Sequence, residues 1–252
     1  MSSFDPAAFL VRFAADAADA GFAREDFGTV AGHALAAFTR PAPRADAPTI
    51  YLSAGMHGDE PAPPEALRRM LAAGRFDDRF GWVLCPVLNP TGLARGTREN
   101  ADGVDLNRDY RQPTTAEVRA HVAWLRRQPR YHATFCLHED YEAAGFYLYE
   151  LNPDGRPTLA DAVLAAVAAV CPIETAAIID GRESAAPGII RPVSDPLLRD
   201  QWPEAIYLRN HHATLSYTFE TPTPRPFELR VAAQVAGVEA ALAALAAHSA
   251  TA

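Results

Sequence analysis

The sequence predicts a single-domain α/β protein, a three-layer α/β/α arrangement around a mixed, mainly parallel twisted sheet. Short apolar runs of strand length alternate with longer segments of helical period along most of the chain, the pattern that places helices on both faces of a sheet. The run Trp82 to Leu88 is continuously apolar, as expected of a strand covered on both sides. A length of 252 residues, 49% of them hydrophobic, supplies one large core, and no internal repeat divides it.

The elements follow in order. Residues 5 to 20 read as an amphipathic helix with Phe9, Leu10 and Phe13 on one side and Asp16 and Asp19 among the alanines of the other. From Phe27 to Arg40 the alternation around Val30, Leu35 and Phe38 suggests a β-hairpin or edge strands with Gly32 near the turn, and Pro41-Ala42-Pro43 breaks it. Residues 1–48 thus form an N-terminal helix and edge strands, and 49–252 the core. Thr49 to Ala54 is a short strand. Glu65 to Ala73 is a helix with Leu67, Met70 and Leu71 inward, Gly74 as its stop, and Pro63 and Pro64 tolerable only in its first turn. Asn89-Pro90-Thr91-Gly92 ends the strand from Trp82. Residues 93 to 113 then hold little apolar material and many Arg, Asp and Asn side chains; a loop of that length is functional or disordered. Thr114 to Arg127 is a helix capped by Thr115, with Val118, Val122 and Leu125 inward. Tyr131 to Leu137 is a strand that delivers His138. Phe146 to Leu151 is another strand, Thr158 to Val170 a helix, Ala176 to Ile179 a short strand, and 181 to 212 an irregular stretch rich in Gly, Pro and Arg. Thr214 to Phe219 is a last strand ending at Glu220, and Pro226 to Ala247 a closing helix.

The formal net charge of -8 argues against nucleic acid or an anionic membrane as the main partner, since both reward a basic patch. No stretch reaches the ~20 consecutive apolar residues of a membrane span. The first residues lack the basic and apolar regions of a secretory signal, so the expectation is a cytoplasmic protein. Cys85, Cys136 and Cys171, odd in number and widely spaced, are expected reduced and buried. Oligomeric state is unmarked.

In sheets of this kind ligands sit beyond the carboxyl ends of the strands. Four polar groups fall there: His57 with Glu60, the loop from Arg98 to Arg108, His138, and Glu220. His57 and Glu60 are three residues apart, so one tight turn lets an imidazole nitrogen and a carboxylate oxygen converge on one cation. With His138 they supply the three protein ligands of a catalytic zinc site, whose fourth position holds water. Attack by that water needs a nearby base, for which Glu220 is the candidate. Arg98 is placed to stabilise an oxyanion, and Arg108, oriented by Asn107, to grip a carboxylate with two parallel hydrogen bonds.

In order, His57-Gly58-Asp59-Glu60, the run Arg98-Glu99-Asn100-Ala101-Asp102-Gly103-Val104-Asp105-Leu106-Asn107-Arg108, His138 at a strand end and Glu220 resemble the zinc carboxypeptidase family, and within it compact bacterial members related to the aspartoacylase and succinylglutamate desuccinylase branch. The resemblance runs from about residue 49 to 222. It implies one Zn2+ per chain held by His57, Glu60 and His138, Glu220 as general base and then acid, Arg98 at the oxyanion, and Asn107 with Arg108 on the substrate carboxylate. It also implies that Asp105 orients a ligand histidine. Family members place a substrate-contacting tyrosine before the base; Tyr207 is the nearest match, though its spacing to Glu220 differs. The expected substrate is a small peptide or an acylated amino acid with a free carboxylate. His138-Glu139-Asp140-Tyr141 and Gly145-Phe146-Tyr147-Leu148-Tyr149 are similar to carboxypeptidase-like rather than deacylase-like members.

Plainer readings stand beside these. Glu139 and Asp140 read by default as a solvated pair, and Trp202 and Tyr207 as packing groups. His33, His121, His132, His211, His212 and His248 read as structural or solvated. Besides a metallocarboxypeptidase, the residues admit an N-acyl amino acid deacylase, or a protein that binds zinc and carboxylates without turnover. His and carboxylate ligands suit zinc best, though iron, cobalt or manganese occupy similar sites.

Overall fold

The computed structural model describes residues 4–44, 46–192, 195–213 and 215–250. Asp5 caps the first helix, α1 (Pro6–Asp19), by accepting the Ala8 amide at 3.0 Å. The hairpin expected next is present and longer: β1 (Ala23–Val30) pairs antiparallel with β2 (His33–Arg40) around Ala31 and Gly32, both at positive φ, the two-residue turn whose twist suits a hairpin. After β3 (Thr49–Ser53) comes α2 (Ala62–Ala72), and after β4 (Gly81–Cys85) the chain enters a short helix, α3 (Pro90–Arg95). Asn89 caps α3 through the Gly92 amide, so the segment expected only to end a strand also starts a helix, and the long loop begins after it. A single 3-10 turn, Leu106–Arg108, interrupts that loop. There follow α4 (Ala116–Leu125), β5 (Ala133–Asp140), β6 (Tyr147–Leu151) and α5 (Ala160–Val167).

The stretch 181 to 212 is more regular than its sequence suggests. It contains β8 (Arg182–Glu183), β9 (Ile189–Ile190) and a full helix, α6 (Glu204–His211). The short strand expected at 176 to 179 shrinks to β7 (Ile178–Ile179), which pairs only with β8, apart from the main sheet. The chain ends with β10 (Ser216–Pro222) and α7 (Phe227–Ala250). Thr214, the expected first residue of the last strand, lies outside the described residues.

Among the described residues eight strands form one sheet in the order β1-β2-β4-β3-β5-β10-β6-β9. Its centre, β4-β3-β5-β10, is parallel, with antiparallel pairs at β1-β2, β2-β4 and β10-β6. Ile50, Leu52, Phe135, Leu137 and Phe219 point to the face covered by α1, α2, α5 and α7. Tyr51, Val83, Cys85 and Cys136 point to the other, beneath α4 and α6. This alternation is the two-residue strand period, and it sends neighbouring residues to opposite sides of the sheet. The expectation that no segment reaches membrane-spanning character needs one amendment. Phe227–His248 is long and apolar enough by length and composition, but half of it is buried against the protein, its Val238, Ala241, Leu242 and Leu245 in the core. The three cysteines are free and buried, as expected.

Candidate active site

Residues 54–61 turn between β3 and α2 and carry His57 and Glu60. The Gly55 carbonyl accepts the amides of Leu88 and Asn89, which ties this turn to the chain after β4. Gly58 is held tighter: its amide donates to the Thr97 carbonyl at 2.9 Å, and a Cβ on it would lie 1.8 Å from the backbone carbon of Gly92. Only glycine fits there. Gly58→Ala is expected to cost about 3 kcal/mol or more of stability, since the backbone it meets cannot rotate away. A lower urea midpoint at unchanged slope would show it; an unaltered midpoint would contradict the packing.

His138 comes from β5 and Glu220 from β10, where they are register partners across a parallel pair. Both strands continue two residues past these side chains instead of ending at them, because the pairing runs on to Pro222 and Asp140. His57 and His138 are 2% exposed and Glu60 3%. Nδ1 of His57 lies 2.6 Å from Glu60 Oε1, and Nδ1 of His138 2.9 Å from Glu60 Oε2. One donor atom from each of the three residues lies within 4.8 Å of the others. On its other side His57 Nε2 meets Asp105 Oδ1 at 3.2 Å, which fixes the ring and leaves Nδ1 facing the cluster. Asp105 also accepts from Arg98 Nε at 3.1 Å and caps the 3-10 turn through the Asn107 amide.

The charges fit a cation. Burial pushes the Glu60 carboxyl up, but the imidazoles of His57 and His138 outweigh it and hold the pKa at about 2. Burial pushes His57 down, and the Glu60 charge with hydrogen bonds to Asp105 and Glu60 raises it to about 9. A divalent ion needs the neutral imidazole, so its uptake must displace that proton. Affinity is therefore expected to rise about tenfold per pH unit up to the His57 pKa, one proton being released. Competition with a chelator at several pH values measures this, and a flat profile would contradict it.

A cleft of about 320 Å3 opens over the cluster, lined by His57, Glu60, Arg98, Asn107, Arg108, His138 and Glu220, with Cys136 and Thr218 on its floor. Arg98 Nη1 stands 3.7 Å from Glu60 Oε1. Asn107 Oδ1 accepts the Glu204 amide at 2.9 Å, so its amide nitrogen is the group left for a ligand. Burial pushes the Glu220 carboxyl well above the usual range; His138 opposes this, while Glu60, Asp140 and Asp180 add to it.

A family model for the succinylglutamate desuccinylase/aspartoacylase catalytic domain matches residues 46–220, more than half of the chain. The chain belongs to this family. The succinylglutamate desuccinylase/aspartoacylase fold is shared with a candidate metallopeptidase of Shewanella amazonensis SB2B, 25% identical with a TM-score of 0.84 over 96% of this chain and 94% of that one. It is shared too with a metallo-carboxypeptidase from Burkholderia cenocepacia, 19% identical with a TM-score of 0.70 over 96% and 69% of the two chains, a likeness of fold. Carboxypeptidase SOL1 of Arabidopsis thaliana is 31% identical over 123 residues, covering 39% of this chain; the match spans about a quarter of that protein. By family the chain is of the desuccinylase/aspartoacylase type, and its fold is the one that metallo-carboxypeptidases also have.

Among the residues expected to contact substrate, Tyr207 is the one that the structure keeps from the cleft. It is 4% exposed and packs on Tyr110, His211 and His212, because α6 turns that face to the core and presents Ala205 and Ile206 to the cleft. The tyrosines on the cleft wall are Tyr141, Tyr147 and Tyr149. Glu139 is buried at 4% exposure, not half of a solvated pair, since it alternates with His138 onto the opposite face. His121 is a core group between the hydroxyls of Tyr51 and Tyr110. The sequence reading missed Asp180, Arg182 and Arg199, which also line the cleft. The two arginines had a signal only in the arginine content of the stretch 181 to 212, and Asp180, just before it, had none.

Proposed function

We propose that this chain is a zinc-dependent hydrolase that cleaves the amide bond beside a carboxylate-bearing group, acting as a metallocarboxypeptidase on a peptide. The observation that carries the reading is the convergence of Glu220, Arg98, Asn107 and Arg108 on one cleft with the His57, Glu60 and His138 cluster. Those three residues would hold one zinc per chain. The bound ion contributes Lewis acidity toward the carbonyl and the attacking water. Glu220 takes the proton of that water and returns it to the departing amine, a role suited to a carboxyl with a raised pKa. Arg98, tethered by Asp105, faces the developing oxyanion. Arg108 grips the substrate carboxylate, assisted by the Asn107 amide nitrogen.

The runs His138-Glu139-Asp140-Tyr141 and Gly145-Phe146-Tyr147-Leu148-Tyr149, similar to carboxypeptidase-like members, favour a peptide. The family match favours the second reading, an N-acyl amino acid deacylase. The two separate in one experiment, in which kcat/KM of the zinc-loaded protein is compared for peptides with free C-termini and for N-succinyl and N-acetyl amino acids. Higher values on peptides are expected. Turnover confined to the acylated amino acids would replace the first reading with the second, and turnover of neither would overturn both.

A further inference from the structure

We infer that Glu139, together with Arg230 and Gln234 of α7, is a set of positioning residues that holds the Glu60 segment against the His138 segment and thereby sets the affinity of the cluster for its ion. The inference rests on the metal reading of the site and is independent of which amide is cleaved.

The first turn of α2 is the starting point. Pro61 stands at its N-cap with no side-chain hydrogen bond, and Pro63 and Pro64 have no amide hydrogen. Ala62 therefore carries the one N–H available between residues 61 and 64, two residues after Glu60. That amide donates to Glu139 Oε1 at 2.9 Å, across 77 residues of sequence. A carboxylate from β5 thus does what an adjacent Ser or Asp does at other helix starts, with the positive end of the helix dipole favouring it. Glu139 follows His138 directly, so this one bond joins the segments that bring Glu60 and His138 together. On the same side of the sheet Gln234 Nε2 donates to the His138 carbonyl at 2.7 Å, and Thr221, next to the proposed base, reaches Glu139 Oε2 at 3.4 Å. The Arg230 guanidinium pairs with that same Oε2 and is itself 7% exposed.

This network is costly. Arg230 Nε and Gln234 Oε1 are buried with no hydrogen-bond partner among the described residues. Apolar side chains of similar volume fill such a space without that penalty, so stability alone does not account for these groups. Their bonds end instead on the backbone of a ligand residue and on the helix that the Glu60 turn enters.

The test measures zinc itself, by competition with a chromophoric chelator, on the full chain and its variants, beside thermal unfolding of the metal-free proteins. Glu139→Ala and Gln234→Leu are expected to weaken zinc binding about 10- to 100-fold, as loss of such supporting bonds does elsewhere. Glu139→Gln, which retains an acceptor for the Ala62 amide, is expected to fall between them and wild type. Glu139→Ala strands the Arg230 charge and threatens folding. The double variant Glu139→Ala, Arg230→Met removes both partners, and it is expected to regain stability yet still bind zinc weakly. Dissociation constants within about twofold of wild type in Gln234→Leu and in the double variant would overturn the inference, whatever the melting temperatures do. A wild type that takes up no zinc would instead remove the metal reading on which the inference stands.

Discussion

Glu220→Gln is expected to lower kcat roughly 1,000-fold, the middle of the range for loss of a positioned general base. The amide is nearly isosteric with the carboxyl and preserves the cleft wall, but it cannot accept the proton of water. Glu220 is not one of the three residues of the cluster, so the zinc content should stay at the wild-type level. The pH profile carries a second signature. A base must be deprotonated to act, so activity falls as pH drops through its pKa. Burial and the carboxylates of Glu60, Asp140 and Asp180 raise that pKa above the ordinary value of about 4.3. A bound divalent ion counteracts that rise, so the signature is the acid limb itself, which should be present in wild-type kcat and missing from the residual activity of the variant. A Gln variant within about threefold of wild type would show that the proton goes elsewhere.

The double variant His57→Ala, His138→Ala is expected to hold no zinc and to show no activity above background. Wild type should hold about one zinc per chain, and elemental analysis of both proteins decides it. Removal of two of three ligands leaves Glu60 alone, a monodentate or bidentate carboxylate with no partner. Stability supplies an independent reading. Zinc at about a thousandfold excess over its dissociation constant adds roughly 4 kcal/mol to a protein that binds it only when folded, and should add nothing to the double variant. Without metal the linkage runs through the same residues. The raised pKa of His57 contributes stability below 6.5 that is lost as pH rises through about 9, and the lowered pKa of Glu60 contributes stability above 4.5 that is lost as pH falls toward about 2. The metal-free wild type should gain most from this pair between those windows, and the double variant should not. Zinc retained by the double variant at the wild-type level would mean that the ion sits at another site.

Much of this architecture is written in local pattern. The apolar runs at 49 to 54 and 131 to 137 supply most of the buried central strands β3 and β5, and Thr115 caps α4 through the Val118 amide because a hydroxyl before an apolar period does so wherever it occurs. His57 and Glu60 share a turn by spacing alone. The ordered combination of His57, Glu60, the Arg98 to Arg108 run, His138 and Glu220 was specific enough to name the family. What the chain could not declare locally was which groups meet across long separations. Whether α6 turned Tyr207 or Ile206 to the cleft depended on the packing of Tyr110 and His212 beneath it. Glu139 looked solvated because its partners, the Ala62 amide and Arg230, lie 77 and 91 residues away. Arg182 and Arg199 reach the cleft from a segment whose short strands and turns leave no period to read. Periodicity and capping are set by neighbours within a turn or two, so the sequence determined most of the elements and the residues of the candidate metal cluster. Burial, charge pairing and the direction of a side chain depend on contacts made only after the sheet has assembled, so the tertiary structure alone decided the cleft wall and the groups that hold the site from behind.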